Sequence, residues 1–152
     1  MLDTTLRHPG TLASDEIELV LLEKVPANQA LNRAPMYTFA IRSLTTRQDV
    51  GTISLLVGNQ DYILKFAGHI GYIVNEASRG RNYATKALRL ILPLAKRIGL
   101  NPIWVTCNPD NIPSKKTCEK AGGKLVELID VPPEMDMFRR GDHQKLRFRF
   151  DL

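Results

Sequence analysis

Apolar positions recur at every second residue in the first third of the chain and change to helical spacing after residue 82. Residues 16–25, EIELVLLEKV, read as a strand. In residues 35–44, PMYTFAIRSL, Tyr37, Phe39 and Ile41 alternate against Thr38, Ala40 and Arg42, which is the period of a strand with one buried face. Residues 49–58, DVGTISLLVG, predict a third strand that ends in the turn chemistry of GNQD. Residues 62–66 fit a short helix or a strand equally well. HIGYIV, residues 69–74, is the next strand. Beyond it Ala84, Ala87, Leu88, Ile91, Leu94, Ala95 and Ile98 share one helical face, while Lys86, Arg89, Lys96 and Arg97 fall mostly elsewhere. Gly99 is the expected stop. Pro93 lies inside the pattern and removes one ladder bond, so a kink is expected there. IWVTC, residues 103–107, is a short strand. A helix follows from about Pro113 to Ala121, stopped by Gly122 and Gly123, and then a strand KLVELIDV, a loop VPPEMDMFRRGDH and a closing strand in which Leu146, Phe148 and Phe150 alternate with charged residues.

This order predicts an α/β fold: a mixed, mostly antiparallel sheet flanked by helices, in one domain spanning residues 1–152. The strands around the two helices are expected to be locally parallel neighbours, because helical crossovers join such strands. Hydrophobic content of 43% and charged content of 24% suit a globular chain, and no apolar run approaches the ~20 residues of a membrane span. The first ten residues lack the basic start and apolar core of a secretory signal, so a cytoplasmic location is expected. Cys107 and Cys118 have no CxxC spacing and read as small buried hydrophobes; neither a disulfide nor a metal site is expected. The net charge of +5 is spread along the chain and is not gathered in a basic arm with interleaved aromatics, which argues against nucleic acid as the partner.

The stretch GHIGYIVNEASRGRNYATKALRLIL carries the candidate chemistry. The first turn of a helix has N–H groups without partners and the positive end of the helix dipole, so anions bind there. Arg79 and Arg81 precede that turn, and small Gly80 and Ala84 allow a ligand close to the backbone. SRGRNYAT therefore has the parts of a pyrophosphate cradle, although it matches neither the P-loop nor the GxGxxG pattern. A solvated, arginine-rich helix start has the same composition.

Arg79-Gly80-Arg81-Asn82-Tyr83-Ala84 resembles the acetyl-CoA signature R/Q-x-x-G-x-G/A of the GNAT superfamily of N-acetyltransferases, and follows the fourth main strand as it does in that family. Asn82 stands where glycine is usual, and Asn is the other residue that best tolerates positive φ. Downstream, VTCNPDNIPSKKTCEKAGG is similar to the family's second cofactor motif through Asn111, Ser114, Glu119, Lys120 and Gly122. The whole set resembles a bacterial branch of these acetyltransferases from about Met36 onwards. The resemblance implies acetyl-CoA as cosubstrate, its pyrophosphate on the backbone of residues 81–85 with Arg79, Gly80, Arg81, Asn82, Tyr83, Ala84 and Thr85 around it. It implies that Ile73 and Val74 pair with the pantetheine arm like an added strand, in a central splay between the parallel strands HIGYIV and IWVTC. Asn111 would hydrogen-bond the arm, with Ser114 and Lys120 beside it; as an Asx turn or helix cap Asn111 has an equally good local explanation.

Direct acetyl transfer to an amine requires deprotonation of the ammonium, polarisation of the thioester carbonyl and departure of the thiolate. A backbone N–H at the end of HIGYIV suits the second step. Candidate bases are His69, whose ordinary pKa is suitable, and Glu76, which follows the strand. Many family members carry a tyrosine four residues before the glycine that ends the second motif's helix; here that position is Cys118, a candidate acid or a buried structural thiol. The loop of residues 131–143 is expected to shape the acceptor pocket, and Glu127, Asp130, Glu134 and Asp136 would make it acidic, which suits a cationic amine. The expected partners are a small-molecule or peptidic amine and a second copy of the chain in a homodimer, without membrane or nucleic acid. A catalytically silent acyl-CoA-binding module is the alternative.

Overall fold

The alternation in residues 36–43 places Tyr37, Phe39 and Ile41 on the buried face of a central strand, and the first sheet is built around it. The computed structural model describes residues 1–152. The strands are β1 (Leu12–Ala13), β2 (Ile17–Val25), β3 (Met36–Ser43), β4 (Asp49–Leu56) and β5 (Ile70–Val74), joined in that order as an antiparallel sheet. Residues 62–66, ambiguous in sequence, belong to a one-turn π-helix, Ile63–Ala67, which turns the chain so that Gly68 N–H reaches Ile63 O at 2.7 Å. Helix α1 (Tyr83–Ile98) runs through Pro93 and ends at Gly99, which is left-handed at φ 105°. Its buried face, Ala87, Leu88, Ile91, Leu94 and Ala95, covers the first sheet; Thr85 is buried as well, whereas Ala84 faces a cleft.

The second half holds β6 (Ile103–Cys107), α2 (Ile112–Lys120), β7 (Lys124–Asp130), the single turn α3 (Asp136–Arg139) and β8 (Gln144–Phe150). Its strands form a separate sheet in the order β6-β8-β7. The splay expected between β5 and β6 is present, but the expectation that β6 and β7, joined by a helix, are parallel neighbours is corrected. β8 lies between β6 and β7, antiparallel to both. The physical reason is burial: Leu146, Phe148 and Phe150 of β8 are core residues, so it takes the middle, while β7 buries almost nothing and takes the edge.

β5 and β6 touch only at their starts. His69 N–H donates to Trp104 O at 2.7 Å. Gly68, at φ 74°, lies so close to β6 that a Cβ there would meet Trp104 O and Thr106 N at 3.0 and 3.1 Å. Beyond that contact the strands diverge, and one core of 25 buried residues continues across both sheets beneath the splay.

Candidate active site

The turn before α1 is built on a left-handed residue. Asn82 adopts φ 60°, ψ 25°, the conformation expected of the residue that replaces glycine. Its Oδ1 accepts from Lys120 Nζ at 2.9 Å, and Arg89 donates to Lys120 O at 2.7 Å, so the start of α1 is tied to the end of α2. None of the N–H groups of Gly80 to Thr85 has a hydrogen-bond partner within the chain. Four of these residues, Gly80, Asn82, Tyr83 and Ala84, line a cleft of about 620 Å³ bounded by the end of β5, the turn and the start of α2. Arg79, Lys116 and Lys120 line it, and no carboxylate does. Free N–H groups, a helix dipole and three cations with no opposing acid fit the phosphates of a coenzyme A nucleotide.

A second cleft, about 350 Å³, opens on the other side of the splay between β5, β6 and the loop that follows β7. The two clefts share Tyr72, Asn111 and Ser114. At this junction the Tyr72 hydroxyl lies 2.8 Å from Ser114 Oγ and 3.8 Å from Cys118 Sγ. Burial raises the Tyr72 pKa well above its ordinary value, reinforced by the neighbouring Cys118 and opposed by the hydrogen bond to Ser114. The phenol stays protonated.

The edge of β5 follows from its register. Asn75 N–H donates to Val50 O and Leu56 N–H to His69 O, so the odd-numbered residues spend their backbone groups on β4. The backbone groups of Tyr72 and Val74 therefore face the splay. Ile73 contributes its side chain, 67% exposed, to the first cleft, but its N–H and C=O belong to the ladder with Thr52. Val74 O accepts from Arg79 Nε at 3.1 Å, so this arginine braces the strand end as well as lining the cleft. Arg81 is exposed outside the cleft lining, and Tyr83 lines it, with Lys86 Nζ 5.7 Å from the centre of its ring. Thr85 is buried beneath the turn. Asn111 Oδ1 caps α2 by accepting Ser114 N–H at 3.2 Å, and the residue lines both clefts.

Three candidates for acid–base work lie elsewhere. His69 is fully buried; its Nδ1 accepts Trp104 N–H at 2.9 Å and its Nε2 lies 3.0 Å from Asn59 Oδ1. With both nitrogens engaged, and burial holding its pKa down at about 4, it fastens β5 to β6 and is not a base. Glu76 starts an exposed 3₁₀ turn outside both clefts. Cys118 is fully buried, lines neither cleft, and burial pushes its thiol up to about 12. Tyr72, at the junction of the two clefts, is not among the candidates read from the sequence; with cysteine at position 118, the phenol beside Ser114 comes from β5.

His69 has a measurable consequence for stability. The unfolded ring titrates near 6.5, so below that pH the unfolded state takes up a proton that the folded state refuses until about pH 4. Stability is full above pH 6.5 and falls as the pH drops towards 4, by about 3 kcal/mol from this residue. In an NMR titration the His69 ring should titrate near 4, with the urea midpoint falling over the same range. A ring titrating between 6 and 7 would contradict the assignment.

A family model described as an acetyltransferase (GNAT) domain matches residues 4–124. The chain belongs to the GNAT acetyltransferase family. Over 71 residues it is 34% identical to the uncharacterized N-acetyltransferase YnaD of Bacillus subtilis, a segment covering 44% of this chain and 42% of that protein. The match thus spans less than half of that relative's length. Among solved structures, a GNAT-family acetyltransferase from Bacillus anthracis superposes with a TM-score of 0.57 at 21% identity, over 75% of this chain and 65% of that one. RimL, a ribosomal L7/L12 alpha-N-protein acetyltransferase in complex with coenzyme A, superposes with a TM-score of 0.67 at 13% identity, over 93% and 98%. At these identities the likeness establishes the fold. No helix is long and apolar enough to cross a membrane.

Proposed function

We propose that this chain transfers an acetyl group from acetyl-CoA directly to a primary amine, small or peptidic, within a ternary complex. The observation that carries this reading is the meeting of two clefts at Tyr72, Asn111 and Ser114, in a splay whose edge offers unpaired backbone groups. Two substrates entering from opposite sides meet there without a covalent enzyme intermediate.

Acetyl-CoA supplies the activated thioester carbonyl. The N–H groups of residues 80–85, with Arg79, Lys116 and Lys120, bind its phosphates. The N–H groups of Tyr72 and Val74 bind along the arm and stabilise negative charge on the carbonyl oxygen as the amine attacks. Asp142 is the one carboxylate lining the second cleft and takes the proton that the amine loses, directly or through water. As the carbon–sulfur bond breaks, Tyr72, hydrogen-bonded to Ser114, gives its proton to the sulfur and is reprotonated from solvent. RimL, which shares the fold, acts on a protein α-amine and supports a peptidic acceptor. The two buried free thiols suit the reducing cytoplasm, where acetyl-CoA is made available. The free edge of β7 exposes Leu125, Val126 and Leu128, and a homodimer through this edge would cover them; sedimentation of wild type against Val126→Lys tests it, and a wild-type monomer rules it out.

The test of function is thiol release across an amine panel, beside a thermal-shift measurement with CoA. A ligand that binds only the folded state at ~100 times its Kd stabilises it by about 2.7 kcal/mol. For a chain of this size that is a rise of roughly 5–10 °C. No shift at millimolar CoA removes the cofactor assignment; a shift with no amine acetylated leaves a binding module.

A further inference from the structure

The charge of the second cleft has the opposite sign to the one expected from the sequence. Glu127 is paired with Arg147, Asp130 accepts from Gln144, and Asp136 lies 3.7 Å from Arg139; none of them, nor Glu134, lines the cleft. Its charged residues are Arg140, Lys145 and Asp142. Asp142 is already engaged: Oδ1 accepts from Asn108 Nδ2 at 2.8 Å, and Oδ2 faces Lys145 Nζ at 3.8 Å.

The cations are less well served. The Lys145 side chain is only 13% exposed, and its ammonium has this one distant partner and no hydrogen bond. Arg140 forms no ion pair within 4.0 Å of any carboxylate. A largely buried ammonium without hydrogen bonds is costly unless something anionic completes it. The opposite deficit lies beside it. Asn108 Oδ1 is buried and has no donor, while the Nδ2 of the same amide is held by Asp142, which fixes the orientation of the group. The cleft thus lacks an oxyanion at one point and an N–H donor at another.

We infer that the acceptor is an amine that also carries an oxyanion, a carboxylate or a phosphate, a few bonds from the nitrogen. Lys145 and Arg140 take the oxyanion, and the amine end presents N–H groups towards Asn108. This rests on the second cleft being the acceptor side. A polyamine finds only one carboxylate there, already bound twice, and faces two cations. Selection is therefore by attraction and by repulsion together.

Matched amines test this. Phosphoethanolamine is compared with ethanolamine, β-alanine with β-alaninamide, and spermidine serves as the cationic control. The oxyanion-bearing member of at least one pair should have a kcat/KM ten or more times that of its partner without the oxyanion, and the pair with the larger ratio identifies phosphate or carboxylate. Arg140→Glu should raise KM for the anionic amine about tenfold and shrink or reverse the preference for it over its partner without the oxyanion. In parallel, phosphoethanolamine and β-alanine are titrated into the CoA-bound protein and the melting temperature is followed. Equal or better turnover of ethanolamine or spermidine overturns the inference and leaves the acetyltransferase intact. If no amine is turned over and neither anionic amine shifts the melting of the CoA complex, the inference falls. If CoA itself gives no shift, the cofactor reading fails as well, so the two failures are distinguishable.

Discussion

Tyr72→Phe is expected to lower kcat by a hundredfold or more while leaving CoA affinity within about threefold. Positioned acids and bases contribute roughly 10²–10⁴-fold. Among the residues shared by the two clefts, Tyr72 has the one phenol, and burial keeps it protonated at neutral pH, which is the donating form. The substitution removes one oxygen, 2.8 Å from Ser114 Oγ, and leaves the ring in its packing against the core. A lost hydrogen bond of this kind costs about 1 kcal/mol of stability, so the fold persists. Cys118→Ala is the control. The thiol 3.8 Å away is buried and held at about 12, and its removal should change kcat by less than about tenfold. Steady-state kinetics on any active amine, with thermal melts of both variants, decide the matter. If Tyr72→Phe retains kcat within tenfold, the leaving sulfur is protonated by another group and the assignment is wrong. If Cys118→Ala is the damaging variant with its fold intact, the thiol is the acid.

Ala84→Glu should abolish measurable CoA binding, weakening it by about a thousandfold, in a protein that folds nearly as well. Ala84 is in the first turn of α1, lines the first cleft and makes no core contact of its own. A carboxylate in the first turn of a helix is favourable by itself, because it meets the free N–H groups and the positive end of the dipole. That is why the variant is informative: the new side chain satisfies the same donors that would hold phosphate, and repels it. Charge-assisted hydrogen bonds are worth about 1.5–3 kcal/mol each, so losing two or more of them gives a change of this order. Calorimetric titration with CoA gives the affinity and the melting temperature gives the fold. CoA binding within tenfold of wild type would mean that the phosphates sit elsewhere; a collapse of the melting temperature would mean that Ala84 supports the core after all.

Much of the fold was readable because local chemistry and global arrangement agree. The alternation of Tyr37, Phe39 and Ile41, the stop at Gly99 and the small face of α1 each follow from periodicity and backbone sterics, and each is found in place. Asn82 is the sharpest case. A left-handed residue before the helix was expected from the non-glycine type that best tolerates it, and the backbone there is at φ 60°. The turn, the helix start and the free donors could be read for the same reason: they lie within six consecutive residues, 80–85.

The groups at the junction of the two clefts were not readable, because they come from distant parts of the chain. Tyr72 and Ser114 are 42 residues apart and meet only when α2 is laid across the splay. His69 has the right pKa in isolation, but Trp104 and Asn59 occupy both of its nitrogens, and burial then forbids the charge. The acidic residues near the loop of residues 131–143 carry the expected charge but do not line the second cleft; Glu127 pairs with Arg147 and Asp130 accepts from Gln144. The sequence by itself determined the strands, the helices and the left-handed turn before α1, because those depend on neighbours within one turn or one strand. Only the tertiary structure decided the order β6-β8-β7 and which hydroxyl, carboxylate and cations face the splay, because those depend on which apolar faces compete for the same core.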